Sequence, residues 1–297
     1  MLRRIARVVT GEVKTDGAGV ELVRVIGKPD VYDFDPFLML DAFDHDNPEK
    51  YTKGFPWHPH RGIETVTYLL EGEIQHGDSL GNSGVIKDGG CQWMTAGSGI
   101  IHQEMPIARP KMLGVQLWVN LPAKHKMTAP RYRDFTRSDI PKVEKDRSTI
   151  RIVAGEYENT KGPMEEITVK PTFLEVSVKA GESFSFITEP TDTLFIYIIK
   201  GSVNIKAGPE RLINARHAVL FGKGDELSLE AGNEELLFLL FSGKPLHEPI
   251  TWGGPIVMNT AKELSHAFKE IEAGTFIKKH HADGSISSSE INQTFYR

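Results

Sequence analysis

Two stretches decide the fold. The first is Tyr68-Leu69-Leu70-Glu71-Gly72 with the later turn Lys87-Asp88-Gly89-Gly90. The second is Phe195-Ile196-Tyr197-Ile198-Ile199-Lys200-Gly201 with Phe221-Gly222-Lys223-Gly224-Asp225. Each reads as an apolar strand, a charged residue, a glycine, a further strand and a Gly-Asp turn. A plan that recurs once in each half of a chain is the mark of duplication. Around these stretches lie other short β-rich runs: Val20–Ile26, Val115–Asn120, Phe173–Val178, Val203–Ile205 and Leu236–Phe241. Turns rich in Gly and Asp separate them, as in Lys179-Ala180-Gly181-Glu182. Many short strands at this spacing argue for an all-β sandwich or barrel, here two barrels of one type in tandem.

The chain has 297 residues, enough for two domains that each bury a core. The polar stretch Arg131–Ser148, flanked by Pro130 and containing Pro141, is the best linker. The expected limits are 1–135 for the first barrel, 136–260 for the second, and 261–297 for a short helix and a tail. Thr260-Ala261-Lys262-Glu263 is a capping box, Leu264, Phe268 and Ile271 follow at helical spacing, and Gly274 stops the helix. After Asp283 the Ser-rich composition predicts disorder.

The net charge of −5 gives no reason to expect direct nucleic-acid binding. The basic group Arg3, Arg4, Arg7 precedes no long apolar run, so it is not a signal peptide, and no stretch is long and apolar enough for a membrane helix. The single cysteine, Cys91, excludes an intrachain disulfide and reads as a buried thiol at the start of a strand. These features lead to the expectation of a cytoplasmic monomer.

Eleven histidines occur, and most are scattered. His45, His76, His125, His217, His247, His266, His280 and His281 each read as surface or satisfied residues. Two pairs differ. In Phe55-Pro56-Trp57-His58-Pro59-His60, and in His102-Gln103-Glu104, two potential ligands stand two residues apart. On a strand, residues i and i+2 share a face, so each pair can aim at one point. Three imidazoles and a carboxylate suit a divalent first-row transition metal, not calcium or magnesium. Pro59 points to an edge strand or a bulge. Glu64 lies on the same face by count and competes with Glu104 for the carboxylate role.

His58-Pro59-His60-Arg61-Gly62-Ile63-Glu64-Thr65-Val66, Gln92-Trp93-Met94-Thr95-Ala96-Gly97-Ser98-Gly99-Ile100-Ile101-His102-Gln103-Glu104-Met105-Pro106 and Gly114-Val115-Gln116-Leu117-Trp118-Val119-Asn120-Leu121 together resemble the pirin family of the cupin superfamily. Asp35-Pro36-Phe37-Leu38 and Gly254-Pro255-Ile256-Val257-Met258-Asn259-Thr260 extend the likeness over about the first 270 residues. The resemblance implies two tandem cupin barrels (a bicupin) with one metal, usually iron, in the first and none in the second. It implies His58, His60, His102 and Glu104 as ligands and sets Glu64 aside; Mn, Co, Ni, Cu or Zn are the other candidates. Pirins are similar to quercetin 2,3-dioxygenases, so it also implies that the ring of a flavonol is opened with dioxygen and carbon monoxide is released. Glu104 would take the substrate's hydroxyl proton. Phe55, Trp57, Met94 and Trp118 are candidates for an apolar wall. The alternative is a metal- or redox-dependent regulatory protein that docks a protein partner without turnover, with Arg61 and nearby charge on the docking surface.

Overall fold

The structure is a computed structural model that describes residues 1–165, 167–208 and 211–278. The expected disordered tail, with His280 and His281, lies outside the described residues. The fold is two cupin barrels built almost wholly of antiparallel strands, with one α-helix near the end. The chain divides into two compact units that interleave along the sequence. The first holds residues 13–24, 37–137 and 247 onward; the second holds 1–12, 25–36 and 138–246. The expected limits at 135/136 and 260/261 follow the chain continuously, whereas these units do not. The reason is pairing: Ile5–Thr10 lies antiparallel to His217–Phe221 in the second unit, and the C-terminal segment returns to the first.

The repeated plan is visible in the sheets. One seven-stranded sheet runs in the order Arg131–Phe135, Cys91–Thr95, Ile63–Glu71, Met112–Asn120, Phe37–His45, Val20–Ile26, Glu12–Asp16. Its four-stranded companion runs Phe55–His60, Ile100–Pro106, Ile74–Asp78, Ser83–Ile86. The other seven-stranded sheet runs Ile5–Thr10, His217–Phe221, Thr193–Lys200, Leu236–Gly243, Thr172–Val178, Ser148–Ala154, Lys142–Glu144. Its four-stranded companion runs Ser183–Ile187, Glu226–Ala231, Ser202–Ile205, Leu212–Asn214. The expected linker is therefore partly edge strand: Arg131–Phe135 pairs with Cys91–Thr95, and Lys142–Glu144 with Ser148–Ala154. Its polar composition follows from exposure on one face, as edge strands require.

The two interiors differ in chemistry. Inward residues of the second unit, among them Leu174, Val176, Leu194, Ile196, Phe238 and Leu240, form one apolar cluster. Each fully buried side chain of this kind contributes about 1.5–3 kcal/mol. In the first unit the corresponding strands bury Glu64, Thr67, His76, Gln92, His102, Glu104 and Gln116. Polar groups are costly to bury, so this interior is organised around something polar.

The helix spans Ala261–Glu272, and Thr260 and Glu263 form both halves of the capping box. Ala267 is its buried residue, Leu264 and Ile271 are partly buried beside it, and Phe268 is 38% exposed. Of the expected stripe, Leu264 and Ile271 keep their place and Ala267 stands where Phe268 was expected.

Candidate metal centre

The site is carried by two adjacent antiparallel strands. His58 stands directly opposite His102 in the ladder, and His60 opposite Ile100. Phe55–His60 is the edge strand of its sheet, so Pro59 costs the ladder little, and the register shifts between His102 and Glu104. Of the two alternatives read from Pro59, the edge is the one present at that residue; Pro59 pairs in register with Ile101, and the bulge falls earlier, between Phe55 and His58. One extra residue in the segment between Phe55 and His58 makes the bulge.

The result is a cluster in which one nitrogen each from His58, His60 and His102 lies within 4.8 Å of the others. His58 and His102 rings are 4.3 Å apart between centroids, and His60 and His102 rings 4.9 Å. Among the described residues, no other set of three or more His, Cys, Asp or Glu side chains gathers in this way. His217 instead turns its Nδ1 to the carbonyls of Asn214 and Ala215.

The hydrogen bonding decides which nitrogens face the centre. His58 Nδ1 lies 2.8 Å from the Pro56 carbonyl and His60 Nδ1 lies 3.1 Å from the Pro255 carbonyl. A carbonyl only accepts, so both Nδ1 atoms carry the hydrogen. Both Nε2 atoms are then bare lone pairs, and they stand 3.0 Å apart. Two lone pairs at that distance repel unless a cation lies between them. Metal–imidazole bonds of about 2.1 Å meeting at right angles place their nitrogens about 3.0 Å apart. His102 is fully buried, and neither of its ring nitrogens finds a hydrogen-bond partner among the described residues. Such a group needs an explanation, and a metal supplies one. Burial, helped by the neighbouring imidazoles, holds His60 and His102 well below the usual imidazole range. They are neutral and able to donate, as a metal ligand must be. These residues fit a metal ion.

Glu104 stands apart from the three imidazoles. One carboxylate oxygen accepts from Thr67 Oγ1 at 2.8 Å and the other from Gln116 Nε2 at 2.7 Å. Glu64 is buried too, but its carboxylate accepts from Thr95 Oγ1 at 2.8 Å, and burial raises its pKa. Trp118 stands edge-on to His60 at 5.0 Å, and Phe55 lies 6.5 Å from His58. Trp57 packs into an apolar cluster with Ile101 and Ile256, and Met94 is wholly buried. Of the four wall candidates, Trp118 and Phe55 are the ones beside imidazoles.

Sequence reasoning missed His76, Thr67 and Gln116. His76 is buried, faces Glu104 across the ladder, and lies 5.5 Å from His102 between ring centroids. Its other face stacks on Tyr132 at 4.5 Å. The available signal was a polar residue inside a strand: Gln116 among Val115, Leu117 and Val119, and Thr67 between Val66 and Tyr68. Arg61 corrects an expectation. It is 1% exposed, so it cannot belong to a docking surface.

Comparison with known proteins gives the family. The family described as Pirin matches residues 19–119, and the family described as Pirin C-terminal cupin domain matches 173–277. A pirin-like protein of Caulobacter vibrioides is 41% identical over 278 residues, covering 93% of this chain and 99% of the relative. The chain belongs to the pirin family. Pirin of Homo sapiens is 39% identical over 271 residues, covering 89% of this chain and 91% of that one. Among solved structures, a quercetin 2,3-dioxygenase from Acinetobacter baumannii superposes with a TM-score of 0.83 at 30% identity, covering 93% of this chain and 99% of that one. Among the described residues of this pirin, no helix is long and apolar enough to cross a membrane.

Proposed function

We propose that His58, His60 and His102 hold one divalent transition metal, iron in first place, that Glu104 completes the ligand set once the metal is bound, and that the centre opens the ring of a flavonol with dioxygen. The observation that carries this reading is the pair of Nε2 lone pairs aimed at one point 3.0 Å apart, beside an unpartnered His102. The dioxygenase with the same fold at 30% identity supports the choice of reaction. Four protein ligands on a metal that accepts six leave two positions open, unlike a closed structural site.

A bound metal would supply Lewis acidity where the flavonol's 3-hydroxyl and 4-carbonyl oxygens and dioxygen meet. The chain does the rest. Glu104 takes the proton of the 3-hydroxyl, a general-base role that requires hydrogen-bond reach. Thr67 and Gln116 each donate to one of its oxygens, which fixes the direction of its free lone pairs. Trp118 and Phe55 offer flat apolar faces to a polyphenol ring. The neutral state of His60 and His102 keeps these side chains from competing for the proton. In the overall reaction one dioxygen is consumed, one ring carbon leaves as carbon monoxide, and an ester of two phenolic acids remains.

Metal analysis of the isolated protein, followed by an oxygen-electrode assay with quercetin and detection of carbon monoxide, tests this reading. Metal-loaded protein that consumes no oxygen and releases no carbon monoxide would refute it.

A further inference from the structure

The segment after Gly254 does more than finish the chain. Ile256 forms a parallel bridge with Arg61, and the Val257 N–H donates to the Arg61 carbonyl at 3.1 Å. Pro255, one step earlier, offers its carbonyl to His60 Nδ1. The approach is close enough to need glycine. Gly62 has φ +79°, and a Cβ there would lie 2.0 Å from the Val257 oxygen. Gly99 has φ +137°, and a Cβ there would lie 3.0 Å from the Phe276 oxygen.

Arg61 holds this strap at its far end. Its Nε donates to the Ser98 carbonyl at 2.7 Å, one terminal nitrogen to Glu270 at 2.6 Å, and the other to the Phe276 carbonyl at 3.0 Å. The guanidinium also lies 4.2 Å over the Phe276 ring. The apolar cluster beneath the strap joins Ile256, Met258, Ala267 and Phe276 to Ile101 and Trp57, the neighbours of His102 and His58.

Apolar packing alone would dock a short helix. A buried guanidinium is a costly addition, because desolvation of the charge offsets much of its attraction to a carboxylate. A planar fork is the device that fixes direction, and here it fixes Ser98, Glu270 and Phe276 around the residue after a ligand. We infer that Arg61 and the strap Pro255–Phe276 are positioning elements of the metal centre. The strap's carbonyl keeps the hydrogen on His60 Nδ1, so Nε2 faces the centre, and Arg61 keeps the strap where that carbonyl is needed. This inference rests on the metal-centre reading above. Outer-shell partners of this kind alter metal affinity about 10–100-fold when removed.

The test uses the full chain, with Co(II) as the affinity probe and Zn(II) for NMR. Arg61→Met and Glu270→Ala are compared with the unmodified protein for Co(II) affinity, thermal melting without metal, and solvent exchange of the His60 Nδ1–H in the Zn(II) form. The expected result is a Co(II) Kd weakened about tenfold or more in Arg61→Met and by a smaller factor in Glu270→Ala, with faster His60 Nδ1–H exchange in both. A merely structural role would lower the melting temperature and leave Kd and exchange unchanged. Co(II) Kd values within twofold of the unmodified protein overturn the inference. Should Arg61→Met fail to fold, Glu270→Ala decides by the same criterion. If the unmodified protein binds neither ion, the metal-centre reading itself falls; binding with unaffected variants removes only the positioning role.

Discussion

Lys126 offers a quantitative test of how tightly the turn beside the ligands is built. Its side chain is 2% exposed, and Nζ donates to the Gly62 carbonyl at 2.9 Å and to Asn120 Oδ1 at 2.6 Å. Burial pushes its pKa down to about 7, against a partial opposing pull from Glu248 and Glu263. An unfolded lysine titrates near about 10.4. At pH values between the two, the unfolded chain binds a proton that the folded chain does not hold. Stability therefore rises with pH over that window. A whole proton of difference is worth about 1.4 kcal/mol per pH unit, and the folded state is about half protonated at pH 7. Between about pH 7 and pH 9, this group should add about 2 kcal/mol to stability. Lys126→Met removes the titration and, separately, two hydrogen bonds whose loss does not depend on pH. Urea unfolding of both proteins in chelator at pH 7, 8 and 9 gives the measurement. The stability of the unmodified protein relative to the variant should climb by about 2 kcal/mol across the series. A difference that stays constant to within about 0.5 kcal/mol would show that Lys126 keeps an ordinary pKa, and the reasoning would fail.

Three further outcomes follow from the same structure. His102→Ala should abolish metal content on isolation while the second unit stays folded; unchanged metal stoichiometry would place the site elsewhere. Thr260→Ala removes a capping box from the helix Ala261–Glu272 and should lower stability by about 1 kcal/mol, read by thermal denaturation. Cys91 is buried and its thiol is pushed above the usual range by burial, so a thiol reagent should leave native protein unlabelled and react only after unfolding.

The strands were legible because their chemistry is local. Val20–Ile26, Phe173–Val178 and Leu236–Phe241 carry β-branched and aromatic residues between glycine turns, and each lies within a strand. The imidazole pairs were legible because i and i+2 share a face whatever the fold. What sequence could not show was assembly at a distance. Nothing in Ile5–Thr10 announces His217–Phe221 as its partner. His76 sits opposite Glu104 only because two strands share a register, and no short-range pattern encodes that. Arg61 looked like surface charge because arginine is rarely buried; two of its partners, Glu270 and Phe276, lie more than two hundred residues away. The resemblance to pirins supplied the choice of carboxylate, which spacing alone left between Glu64 and Glu104.

The interleaving of the two units bears on how the chain is made. Synthesis proceeds from the N-terminus, and domains ordinarily fold as they emerge. Here Ile5–Thr10 waits for His217–Phe221, and the unit with the histidines is complete only when the residues after 246 arrive. The second unit has all its residues once 246 is made, and the unit with the histidines can close only after it. A gene cut near residue 135 would part each unit from a segment it needs: the first fragment would lack the strap after residue 246, and the second would lack the strand Ile5–Thr10.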